Sequence, residues 1–223
     1  MRNYLFFLWL FFLILQSCTL SKKTSSAIST VPCNCLATIN TNYNNIYKIS
    51  NTKSVVLCAN KSQENNQEVY NSIYIKNCTS DDTLGFSSQN YISNNIKDTL
   101  ELIPYYYLPQ GLEYTYKQTT VFIEKIYFTT DNKLQKTKVL NPYFPKYTQS
   151  QILDVFEEYQ LTTATTDEKV ILLMDKLLMA SLSGNQLAMK TFRNFEAKYK
   201  AMNSVQKAKY EQNKQILIEY LAF

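Results

Sequence analysis

The side chains here that could do chemistry are carboxylates and cysteines, because the chain contains no histidine. That removes Ser-His-Asp and Cys-His nucleophile systems, histidine zinc sites and the commonest neutral-pH general base. Gly85, Gly111 and Gly184 are the only glycines, so no phosphate-cradling glycine-rich loop exists. No cofactor is expected. Carboxylate chemistry remains, as in glycoside cleavage, which needs two acids a fixed distance apart across a sugar. The available pairs are Asp81-Asp82, Asp98 with Glu101, and Glu113 with Glu124. Each reads far more readily as solvated loop or strand-face charge, and Asp81-Asp82 lacks calcium-loop spacing. No catalytic or metal-binding residue is therefore assigned.

Four cysteines, Cys33, Cys35, Cys58 and Cys78, lie in the N-terminal third. An even count in an exported chain predicts two disulfides. In an extended segment Cys33 and Cys35 share a face, and joining them would close a very small ring. Both are expected to cross to Cys58 and Cys78. A redox role for Cys33-Asn34-Cys35 lacks an activating helix start.

The fifth cysteine, Cys18, has a different setting. Met1-Arg2-Asn3 is followed by an unbroken apolar stretch from Tyr4 to Leu15, then Gln16, Ser17 and Cys18. A positive start, a short apolar core and a small residue before the cut make residues 1–17 a signal peptide. The core is shorter than the roughly 20 residues a spanning helix needs. Leu15-Gln16-Ser17-Cys18 resembles the lipobox of bacterial lipoproteins. The resemblance implies cleavage before Cys18, a diacylglyceryl group on its thiol and an acylated amine. More than one acyl chain gives stable anchoring in a bilayer, at about 0.8 kcal/mol per buried methylene.

Residues 18–35 then form the lipidated cysteine and a Ser/Thr-rich tether containing Lys22 and Lys23, a composition that cannot bury a core. Thr19 is not acidic and no acidic run follows, which points to the outer membrane with the domain facing the periplasm.

Cleavage takes Arg2 from a chain of net charge +5, leaving a mild positive balance carried by lysine with Arg193 as the only arginine. Nucleic-acid sites favour arginine's planar fork, so nucleic acid is excluded as a partner. Tyr, Asn, Lys and Ile are abundant while Gly and Arg are scarce. AT-rich coding DNA alone produces that bias, so tyrosine number by itself is no sugar-binding signal.

The elements that position these residues fall into two regions, an α+β organisation. Residues 36–146 read as β-rich and antiparallel, with strands at Ile46–Ile49, Ser54–Cys58, Val69–Ile75 and Thr99–Ile103. Tyr105-Tyr106-Tyr107 follows, then turn chemistry at Pro109-Gln110-Gly111. Leu112 to Gln118 alternates Leu112, Tyr114 and Tyr116 against polar residues, predicting a strand with one wet face. Thr119–Phe128 and Leu134–Leu140 flank Asp131-Asn132-Lys133 as a hairpin.

Pro142 and Pro145 end this pattern, and residues 147–223 read as a bundle of about four helices. Thr148 with Gln151 and Thr165 with Glu168 make capping boxes. Ile152, Phe156 and Tyr159 share a face, as do Val170, Met174, Leu177 and Leu178. Gly184 ends the second helix. Asn185 opens a third with the stripe Ala188, Phe192, Phe195, Tyr199 and Met202. Asn203 and Gln206 open the last, with Ile216, Leu217, Tyr220 and Leu221 expected inside. Ala180, Gly184, Ala188 and Phe192 resemble tetratricopeptide spacing, but no tandem copy accompanies them.

Asp82-Thr83-Leu84 and Asp98-Thr99-Leu100 resemble the Asp-Thr-aliphatic O-glycosylation acceptor that some bacteria use on exported proteins. The reading of the whole is a lipid-anchored binding or interaction module with an envelope protein as partner; a small carboxylate-dependent glycan hydrolase is the alternative.

Overall fold

A long hairpin organises the β-rich part. β2 (Ser54–Glu64) and β3 (Gln67–Asn77) pair antiparallel and are joined by Asn65-Asn66. Both turn residues have positive φ, 50° and 63°, the conformation of a two-residue type I′ turn that asparagine tolerates. Val55, Leu57 and Ala59 enter the sheet core, while Val56 and Cys58, also buried, leave from the other face of β2.

The computed structural model describes residues 33–35, 41–86, 89–162, 166–199 and 202–223. The signal peptide, Cys18, the tether up to residue 32 and Thr165 lie outside them. The remaining strands are β1 (Tyr43–Lys48), β4 (Thr83–Gly85), β5 (Tyr91–Ile96), β6 (Thr99–Pro104), β7 (Tyr106–Gln110), β8 (Thr115–Thr119), β9 (Phe122–Phe128) and β10 (Leu134–Leu140). The main sheet has the order β1-β2-β3-β5-β6-β9-β10, all neighbours antiparallel, with β4 also on β3. It curls on itself. Tyr47 Oη lies 3.0 Å from Ser93 Oγ, linking β1 to β5, and the Leu134 amide donates to Asp82 beside β4 at 3.4 Å.

β7 and β8 form a separate two-stranded hairpin. The expected turn at Pro109-Gln110-Gly111 is displaced: β7 runs through Gln110, and the chain reverses over Gly111–Tyr114. Gly111 and Tyr114 supply the positive φ values, 70° and 50°. A two-stranded ribbon has two open edges, so Pro109 costs no ladder donor, and its carbonyl accepts from Tyr147 Oη at 2.8 Å. Leu112 falls in the turn and is 83% exposed, so the expected alternation from Leu112 is replaced by a strand that begins at Thr115.

The helices are α1 (Gln149–Leu161), α2 (Asp167–Leu182), α3 (Gln186–Arg193), α4 (Phe195–Lys198) and α5 (Ser204–Leu221). The capping boxes Thr148/Gln151 and Asn203/Gln206 are both formed. α2 starts after Thr166, whose side chain makes no capping bond, and Asp167 instead accepts from Asn203 and Gln206 at 2.7 and 3.0 Å.

Five helices among the described residues replace the expected four, because the stripe from Ala188 to Met202 is broken at Asn194. The break frees carbonyls at the end of α3. Tyr210 Oη on α5 donates to those of Phe192 and Arg193 at 3.3 and 3.1 Å, which satisfies them. Leu221, expected inside, is 41% exposed, and Tyr220 is half-buried. α5 outruns the core it packs on.

Two apolar cores result. One fills the sheet with Val55, Leu57, Ile75, Leu100, Leu102 and Ile126. The other lies among the helices and takes in Tyr106 and Leu108 of β7, Val121, Phe122 and Tyr147. The β7–β8 hairpin therefore packs as part of the helical core.

Candidate functional site

The chain enters this unit through two disulfides, Cys33–Cys78 and Cys35–Cys58, with Cα separations of 4.9 and 5.8 Å. Both early cysteines cross to later ones, as the spacing predicts. Cys35–Cys58 lies on the face of β2 opposite its core side chains. The Cys78 amide donates to Ser54 O at 3.0 Å, so the Cys33–Cys78 link sits where β2 begins.

The candidate acids sit in separate settings, each with its own partners or open to solvent. Asp81 is exposed, and Asp82 is turned to the Leu134 amide. Asp98 lines an open groove of about 520 Å³ with Lys48 and Lys97. Glu101 is cross-strand from Lys125, whose Nζ lies 3.6 Å away. Glu124 is cross-strand from Leu102 and so points to the opposite face of the sheet from Glu101. It is buried and held by Lys138 at 3.4 Å, and Lys138 reaches on to Glu219 of α5 at 2.9 Å. Glu113 is exposed in the Gly111–Tyr114 turn.

The most buried carboxylate is one that sequence reasoning missed. Asp175, mid-way along α2, has no exposed surface. It accepts from Tyr116 Oη at 2.8 Å, Asn213 Nδ2 at 2.5 Å and Lys209 Nζ at 3.2 Å. Burial pushes its carboxyl above the ordinary value, against the opposing pull of Lys209, Asn213 and Tyr116. Burial and then Asp175 raise the Tyr116 phenol. Next along α2, Lys176 pairs with Glu158 at 2.6 Å and covers the Tyr114 ring at 4.0 Å. Asp175 shares a helix with the stripe Val170, Met174, Leu177 and Leu178, and only the tertiary partners mark it out from a solvated acid.

The aromatic run is divided by strand alternation. Tyr106 points into the helical core, where its hydroxyl donates to Gln89 at 3.1 Å. Tyr105 and Tyr107 leave from the other side, edge to face with centroids 6.0 Å apart. Tyr105 donates to Glu64, which also accepts from Asn90 at 2.8 Å, and Asn65 donates to the Tyr107 hydroxyl. In the hairpin register Tyr107 pairs with Gln118, and Pro109 with Tyr116. Tyr107 and Tyr116 are therefore diagonal neighbours on one face, roughly 7–8 Å apart. Their exposures are 38% and 41%, although both hydroxyls are fixed, by Asn65 and by Asp175.

Among the described residues no group of three His, Cys, Asp or Glu is placed to hold a metal ion. No helix among them is long and apolar enough to cross a membrane. Comparison of the chain with protein-family models, with curated proteins and with solved structures finds no match.

Proposed function

We propose that this chain is a lipoprotein of the bacterial envelope, processed before Cys18 and anchored by lipid on that residue. In this reading the domain from Cys33 onward is a binding module, held at the outer membrane and facing the periplasm. The short signal core and Leu15-Gln16-Ser17-Cys18 support the anchor.

The observation that carries the binding reading is where the rigid tyrosine face lies relative to the point of entry. The Cys33–Cys78 staple sits at the Ser54 end of β2, whereas Asn65, bonded to Tyr107, sits at the other end. Ten strand steps at about 3.3 Å separate those ends by roughly 30 Å. The Tyr107 face therefore lies at the end of β2 remote from the Cys33–Cys78 staple, and lipid anchoring would raise the domain's effective concentration at the membrane surface.

The hydrolase alternative needs two acids across one cleft. Against it, Glu113 is exposed in a turn while its candidate partner Glu124 is buried, and Glu101, Glu124 and Asp175 are each engaged by a lysine. The test is in-cell cross-linking from a photoreactive residue at position 107 of the full-length chain. A defined envelope adduct is expected. Glycan turnover that disappears when one carboxylate is substituted, with no adduct, would reverse the assignment.

A further inference from the structure

Resting on the binding-module reading, we infer that the Tyr107–Tyr116 face of the β7–β8 hairpin binds a neutral glycan. The position of the tyrosines, not their number, carries the inference. Two rings lie diagonally on one strand face with about two-fifths of each side chain's residue surface open. Each hydroxyl is tied down at the ring's far end, one to the β2–β3 tip and one to α2. A ring fixed in this way loses little conformational freedom when something stacks on it, which is how preorganisation raises affinity. Pyranose rings present flat C–H faces to such platforms and hydroxyls around their edges.

The surroundings match those hydroxyls. Gln118 is cross-strand from Tyr107 and exposed, and Asn65, Asn66 and Gln67 flank it at the β2–β3 turn. Amides both donate and accept, as sugar hydroxyls do. The carboxylates beside the rings are already engaged: Glu64 accepts from Tyr105 and Asn90, and Asp175 from Tyr116, Asn213 and Lys209. The side chains next to Tyr107, Asn65 by hydrogen bond and Gln118 across the strand, are uncharged amides, which favours an uncharged ligand over an anionic one. No hydrolysis is assigned to the face.

Full-length processed protein in detergent should be retained by purified peptidoglycan sacculi or slowed in gels containing a neutral soluble polysaccharide. The two arms separate a cell-wall source from a free polysaccharide. Tyr107→Ala should weaken retention by at least about tenfold, while Tyr107→Phe, which keeps the ring, should stay within about threefold. Tyr116→Phe should likewise bind. Tyr143→Ala, at a position 88% exposed and outside the face, should match wild type. No retention on either glycan, or equal retention by Tyr107→Ala, overturns the glycan assignment. If the residue-107 cross-linker then captures a protein, the binding module stands and its ligand is a protein; if it captures nothing, both readings fail.

Discussion

The Tyr116 hydroxyl donates a 2.8 Å hydrogen bond to Asp175 Oδ2, tying a half-exposed strand to the fully buried centre of α2. Lys209 and Asn213 reach the other oxygen from α5, so one carboxylate joins the hairpin and two helices. Burial of the ion pair is offset by these bonds, and the removal of one partner leaves another charge inside. Asp175→Ala is expected to destabilise by about 3–5 kcal/mol in urea unfolding. Tyr116→Phe, which keeps the ring, should cost about 1.5 kcal/mol. Equal small losses for both would show that the carboxylate is not the joint.

Asp175 also predicts a pH dependence of unusual sign for an acid. Its folded pKa is raised by burial above the ordinary 3.8, so between those values the unfolded chain releases a proton that the folded chain keeps. Stability from this group is complete below the unfolded pKa and declines as pH rises through the folded pKa. Asp175→Asn should flatten that part of the urea-unfolding profile. A profile unchanged in slope would place the titration elsewhere.

What could be read from sequence was what local chemistry determines. Thr148/Gln151 and Asn203/Gln206 declare their helix starts within four residues, and Gly184, at φ 93°, declares an end. Three features depended on distant partners. β5 was hidden because Tyr91–Ile96 is asparagine-rich, and its pairing with β6 makes it a strand. The break at Asn194 depends on Tyr210, which accommodates the freed carbonyls from another helix. Tyr105-Tyr106-Tyr107 was visible as a cluster, but its division between core and surface, and the partnership of Tyr107 with Tyr116, follow from a turn two residues later than the proline suggested.

The disulfides should be complete in exported protein. Alkylation of unreduced, denatured protein followed by intact mass is expected to show no modified thiol among Cys33, Cys35, Cys58 and Cys78. Peptide mapping should return Cys33–Cys78 and Cys35–Cys58. Their loops span 45 and 23 residues, so loss of either should lower stability by about 3–4 kcal/mol on the chain-entropy account. A Cys33–Cys58 peptide would contradict the connectivity.

The two Asp-Thr-Leu segments are not equivalent as acceptors. Thr83 is exposed on the three-residue β4, whereas Thr99 is partly buried at the start of β6. If the host carries the modifying system, native mass should exceed that of the unmodified lipoprotein, and Thr83→Ala should remove more of the excess than Thr99→Ala. A native mass equal to that of the unmodified lipoprotein dismisses both sites.

The anchor itself gives the last prediction, and it can be tested separately from every statement about the domain. The apolar stretch from Tyr4 to Leu15 is shorter than a spanning helix needs, so the proposed membrane anchoring rests on lipid at Cys18. One acyl chain holds a protein only reversibly, while two or more hold it stably. Cells fed a palmitate analogue should label the wild-type chain, and the label should resist salt and carbonate washing of the membranes along with the protein. Cys18→Ala should lose the label while keeping Cys33–Cys78 and Cys35–Cys58, because the staples lie beyond the tether. Label persisting in Cys18→Ala would move the acyl site elsewhere and overturn the anchor assignment.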